Sequence, residues 1–139
     1  MQFHLVVERY PQAAIAGLLE EATRFYVATL YPDADPPPLE RVRAFVSPVP
    51  ATLWATGGVL VSAGGKPAPY FTCLSLTGRS SEQLIALTTG FTDLIEKHLG
   101  CERALIRGMV TEIPPDHWSI GGKPASLARA TEVASRATP

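Results

Sequence analysis

Short apolar runs alternate along the chain with longer stretches in which apolar residues recur every three or four positions. Phe3–Val7 is a short apolar run broken only by His4, and its length and Val-rich end predict a strand. Beyond Pro11, which suits a first helical turn, Ile15, Leu18, Leu19, Ala22, Tyr26 and Leu30 form one apolar stripe at helical spacing. The proline-rich YPDADPPP over Tyr31–Pro38 ends that helix, because proline removes a backbone donor and restricts the residue before it. Over Arg41–Val49 the period changes to two. Val42, Ala44 and Val46 alternate with Arg41, Arg43 and Phe45, which predicts a second strand. Gly57-Gly58 splits TLWATGGVLV into two apolar pieces, as in a small hairpin. The aromatic YFTCLSL over Tyr70–Leu76 predicts a central strand.

The second half repeats the order of the first. Ser80 and Gln83 have the spacing of a capping box, and Leu84, Leu87, Phe91, Leu94, Ile95 and Leu99 make a second helical stripe ending at Gly100. Ala104–Ile113 predicts another strand, stopped by Pro114-Pro115, and SIGGKPAS over Ser119–Ser126 predicts a Gly-rich turn. The Ala/Thr/Ser-rich tail from Leu127 is expected to be frayed. The pattern is therefore one domain over residues 1–126, built of two β-α-β halves (1–63 and 64–126), followed by a tail over 127–139. If the strands of each half are parallel, each crossover is right-handed. Two such halves make an α/β fold, α+β by looser labels: a four-stranded sheet with both helices on one face. The other face is also largely apolar, and self-association would cover it.

Composition narrows the function classes. Apolar residues make up 46% and charged residues 18%, a globular balance that leaves enough apolar material for one core. A net charge of −1 without a basic cluster argues against nucleic-acid binding. No apolar run is long enough to span a membrane, and MQFHLVVER lacks the basic start of a signal peptide, so the expectation is a cytoplasmic protein. Cys73 and Cys101 do not make a disulfide framework, and Cys73 reads as a small core hydrophobe. His98 and His117 lack paired ligand spacing, so no metal is expected. Gly121-Gly122 lacks the spacing of a phosphate loop, and Ser80 reads as a cap rather than a nucleophile.

The stretch TGRSSEQ at Thr77–Gln83, followed by GMVTEIPPDHWSIGG at Gly108–Gly122, resembles the tautomerase superfamily. DHWSIG over Asp116–Gly121 is similar to the malonate semialdehyde decarboxylase branch, and chain length and the GGV-like hairpin are similar to the cis-3-chloroacrylic acid dehalogenase branch. The resemblance covers roughly Met1 to Ser126. It implies a homotrimer that works without a cofactor, with active sites near subunit boundaries. In such proteins an N-terminal proline amine acts as base or acid, and arginines bind a substrate carboxylate.

Set against that pattern, Gln2 stands where the family has its proline. Glutamine is bulky for methionine removal, so Met1 is expected to be retained. Its α-amine, with an ordinary pKa of about 7.7–8.0, is a candidate base in Gln2's stead. His4, on the first strand, is a second candidate for moving a proton. Arg79 matches the arginine of the Gly-Arg-Ser element, and a planar guanidinium can hold a carboxylate through two bonds. A surface arginine at a helix start is the plainer alternative, although a cation is disfavoured there. Thr77 stands where the decarboxylase branch has a second arginine. Arg41, Arg43 and Arg107 could replace that charge, or be solvated strand-edge residues. Glu40 falls near that branch's water-activating acid, or is an exposed partner of Arg41. Trp118 could wall a pocket or fill an interface. The expected function is turnover or binding of a small carboxylate-bearing enol, keto or unsaturated acid. The alternative is a pseudoenzyme or a trimeric small-acid-binding protein.

Overall fold

The computed structural model describes residues 1–137. Residues 138 and 139, the end of the expected tail, lie outside the described residues. The main sheet has four strands: β1 (Gln2–Leu5), β2 (Phe45–Pro48), β5 (Tyr70–Leu76) and β6 (Arg107–Ile113), in the order β2-β1-β5-β6. β1 runs parallel to β2 and β5 parallel to β6, while β1 and β5 meet antiparallel at the centre. Two 19-residue helices, α1 (Gln12–Leu30) and α2 (Ser81–Leu99), form the crossovers. The Ser80 hydroxyl accepts from the Gln83 amide and the Gln83 side chain accepts from the Ser80 amide, so the capping box is formed. Gly100 closes α2 in the left-handed conformation, at φ 61°.

Two hairpins complete the halves. β3 (Ala55–Thr56) and β4 (Val59–Leu60) are joined by Gly57-Gly58, whose φ values of 61° and 81° need glycine. β7 (Ser119–Ile120) and β8 (Lys123–Pro124) form the matching hairpin in the second half. Trp54 and Trp118 open these hairpins in the same way. Val61 donates to the Trp54 carbonyl at 2.9 Å and Ala125 to the Trp118 carbonyl at 2.8 Å.

The central register reveals an approximate two-fold axis. Phe3 pairs with Phe71, and Gln2–Thr72 and His4–Tyr70 flank that pair. Rotation about it relates β1 to β5, α1 to α2 and Met1 to Pro69. The core lies between sheet and helices. There Phe91 packs edge-on against Phe3, Phe71 and Phe25, at centroid distances of 6.1, 5.6 and 5.6 Å. The opposite face leaves Phe45, Leu74 and Met109 at 49%, 44% and 47% exposure.

Three sequence expectations need correction. The strand expected over Arg41–Val49 is shorter, because Leu39–Arg41 winds into a 3₁₀ turn. The alternation still holds: Val42, Ala44 and Val46 are half-buried, whereas Arg41, Arg43 and Phe45 are exposed. Arg103–Leu105 forms a corresponding turn before β6. The expected frayed tail is instead helical: α3 (Ala125–Ala128) is followed by α4 (Ala130–Ala137). A stretch rich in alanine has the helix propensity for this, and contacts from α4 to Arg41 hold it down. Among the described residues no helix is long and apolar enough to cross a membrane.

Candidate active site

A cleft with two lobes opens where the end of α1 meets the start of β2, the end of β5 and the second hairpin. The outer lobe, about 140 Å³, is lined by Met1, Arg43 and Phe45. The inner lobe, about 60 Å³, is lined by Tyr31, Arg79, Ile113 and Arg129. Tyr26, Arg41, Val42, Leu74 and Trp118 line both, so the lobes share their walls.

At the outer end, the Met1 α-amine donates to the Arg43 carbonyl at 2.7 Å. Burial pushes its pKa below the ordinary 8.0, with the nearby Cys73 acting the other way. Cys73 is itself fully buried, which raises its thiol to about 11 and keeps it protonated at neutral pH. At the inner end the Tyr31 ring is surrounded by guanidinium groups. Arg79, Arg41 and Arg136 lie 4.7, 5.6 and 5.7 Å from its centroid. Such stacking holds a cation by the ring's quadrupole while leaving edge N–H groups for an acceptor. Arg79 donates to the Leu30 carbonyl at the end of α1. Burial and then Arg136 lower its pKa, while Tyr31, Tyr26 and Glu132 act the other way.

The arrangement gathers several residues singled out in the sequence and leaves others apart. Met1, Arg41, Arg43, Arg79 and Trp118 line the cleft. Gln2 and His4 alternate with buried Phe3 and Leu5, so their side chains face the opposite side of the sheet. There His4 packs against Tyr70, with ring centroids 5.5 Å apart. Thr77 is exposed and its amide donates to Ile113. Glu40 is exposed, 3.7 Å from the Arg41 Nε. Arg107 lies at the other end of the molecule, in a groove with Trp54 and Pro69. That groove is the two-fold mate of the Met1 lobe. Pro69 there is an internal residue with no free amine.

Tyr26, Tyr31, Arg129, Glu132 and Arg136 carry no sequence signal of a role in the cleft. Tyr26 falls in a helical stripe and points its hydroxyl to the Leu74 carbonyl at 3.0 Å. Tyr31 follows the last helical residue, and the other three lie in the segment read as a tail. Among the described residues no group of three His, Cys, Asp or Glu is placed to hold a metal ion.

Comparison with known proteins gives this geometry a family. Residues 71–128 match the family described as "Tautomerase enzyme". A probable tautomerase of Staphylococcus aureus is 40% identical over 47 residues, which are 34% of this chain and 77% of that protein. A probable tautomerase of Staphylococcus epidermidis is 37% identical over 54 residues, 39% of this chain and 88% of that protein. Among solved structures, a native fused 4-OT superposes with a TM-score of 0.76 at 26% identity, covering 91% of this chain and 95% of that one. A fused 4-OT described as an asymmetric trimer gives 0.74 at 25% identity, covering 92% and 98%. A macrophage migration inhibitory factor of Toxoplasma gondii shares the fold, with a TM-score of 0.67 at 20% identity over 88% and 96% of the two chains. The half-length relatives matched over most of their length, and the full-length superpositions on a two-fold β-α-β frame, place the chain in the tautomerase family.

Proposed function

We propose that the cleft binds a small carboxylate-bearing enol, keto or unsaturated acid and moves a proton on it without a cofactor. The observation that carries this reading is the meeting of a half-buried amine and an arginine cluster in one cleft. Arg79, with Arg41 beside it, would bind the carboxylate. The apolar walls of Trp118, Leu74 and Val42 would hold the carbon skeleton. The Met1 amine is the base. In its neutral form it keeps one N–H on the Arg43 carbonyl, which orients its lone pair. It takes a proton from the enol oxygen or from the carbon beside a carbonyl, and returns it to the other position. Proton transfer of this kind depends on reach of about 3 Å, and the short bond to Arg43 fixes the amine for it. His4 is the lesser candidate, since its ring lies across the sheet from the helices. Trp118 and the exposed outer face fit a homotrimer, the assembly given for similar fused 4-OT structures. A cytoplasmic location accompanies that proposal.

A second reading is favoured by Gln2, which stands where the resemblance puts proline. On this reading the chain is a pseudoenzyme that keeps the carboxylate site and has lost the catalyst. The two separate in an ultraviolet assay with phenylenolpyruvate and 2-hydroxymuconate, using the wild type, Gln2→Pro and Arg79→Ala. Turnover by the wild type that falls about 10- to 100-fold in Arg79→Ala supports a proline-independent enzyme, the loss expected for a charged hydrogen-bonding contact. A silent wild type beside an active Gln2→Pro supports the pseudoenzyme. Equal activity in wild type and Arg79→Ala sinks the proposed site.

A further inference from the structure

The C-terminal helix delivers a carboxylate of its own to the arginine cluster. Glu132, on the first turn of α4, accepts from Arg41 Nη1 at 2.8 Å through one oxygen and from Arg136 through the other. Burial alone would raise the Glu132 carboxyl. Arg136, Arg41 and Arg129 outweigh it and hold the group below the usual carboxylate range. Arg136 is only 12% exposed and lies on the turn that carries Arg79: a Cβ added to Gly78 would sit 3.2 Å from the Arg136 Cβ. Two guanidinium groups, Arg41 and Arg136, therefore hold one carboxylate, with the charges of Arg129 and Arg79 near enough to act on it. Two buried N–H groups, Arg79 Nε and Arg136 Nη1, still lack a protein acceptor. Buried donors left unpaired cost free energy that an incoming anion can recover.

We propose that Glu132 is a specificity-determining residue: it is a built-in competitor for the carboxylate position on Arg41, and an acid ligand enters by displacing it. This rests on the reading above, in which the arginine cluster receives a substrate carboxylate. Glu40 meets the exposed Nε side of Arg41, where water screens it, but a ligand carboxylate beside Glu132 on the partly desolvated side would meet like-charge repulsion. Glu132 therefore yields, and α4 loosens as the ligand seats. The helix is also anchored through Arg136, which packs beside Gly78 and the Tyr31 ring. It is eight residues long, shorter than an isolated helix needs to persist in water. The affinity measured for any acid is then the intrinsic affinity reduced by the fraction of molecules in which Glu132 has let go.

The test uses cinnamate, an unsaturated monocarboxylate, with calorimetry and amide hydrogen exchange over residues 130–136 in the full chain. Glu132→Gln is expected to bind cinnamate about tenfold more tightly than the wild type, because the competitor is gone. Removing a negative charge would by itself raise anion affinity somewhat, so exchange decides. In the wild type, cinnamate should speed exchange in α4. In Glu132→Gln, exchange there should already be fast without ligand. Unchanged or slower α4 exchange on binding overturns the proposal, whatever the affinities. If Arg79→Ala abolishes binding while α4 exchange never responds, the carboxylate site stands and only the competitor fails. If cinnamate binds neither wild type nor Glu132→Gln, both the site and the competitor fall.

Discussion

Met1 sits where its backbone serves two roles. Its carbonyl accepts from Phe45 at the head of β2, and its amine donates to Arg43 on the same segment. The terminus is thus tied at both ends, and burial lowers the amine's pKa from 8.0. The sign follows directly. The neutral base is populated above the folded-state pKa, so kcat/KM should rise with pH through a midpoint below 8.0 and then level off. A pH–rate profile centred at or above that value would remove the amine from the mechanism. At this scale the sequence was partly legible. Arg79 and Trp118 stood in motifs with a recognisable order, and Arg41 and Arg43 stood out as charges in a strand-like segment. Tyr31 and Glu132 were not legible, because their meeting is made by folding: Glu132 reaches Arg41 across 91 positions of chain.

At the scale of elements, α1 and α2 approach closely because a glycine permits it. A Cβ on Gly90 of α2 would lie 2.0 Å from the Phe25 ring of α1, and that ring packs edge-on against Phe91. Gly90→Ala should therefore destabilise the fold by about 1–3 kcal/mol, the range for overpacking a filled core, even though alanine is the better helix former. Denaturant titration would show a lower midpoint at unchanged slope, and an unchanged or raised midpoint would refute this account of the helix contact. The long helices, the capping box and the central strand were readable because local periodicity and caps determine them. The ends of β2 and β6 were not. Their alternation continues through neighbouring 3₁₀ turns, and only the pairing partners show where the ladder begins. The C-terminal helices were missed because their composition suggested a solvated tail, while their stability comes from contacts to the arginine cluster.

The whole molecule presents an uncovered sheet face. Phe45 and Leu74, which also wall the cleft, stand on it with Met109, and Trp118 lies at the edge. A monomer would leave this apolar surface in water, which favours association. Sedimentation equilibrium should give three times the mass of the chain at micromolar concentration, and Leu74→Glu should shift the population toward monomer. A wild type that stays monomeric across that range would contradict the proposed trimer. The approximate two-fold axis has a further consequence. A polypeptide has one amino terminus however many times its folding unit is duplicated. Duplication in tandem can copy a strand, a helix or an arginine, yet it cannot copy a free α-amine. The axis places Pro69 where Met1 has its counterpart, and there the nitrogen is spent in a peptide bond. The amine belongs to the first half and Arg79 to the second, so each half holds only one part of the cleft. The cleft therefore needs both halves at once, whereas the groove around Pro69 and Trp54 has no amine to offer.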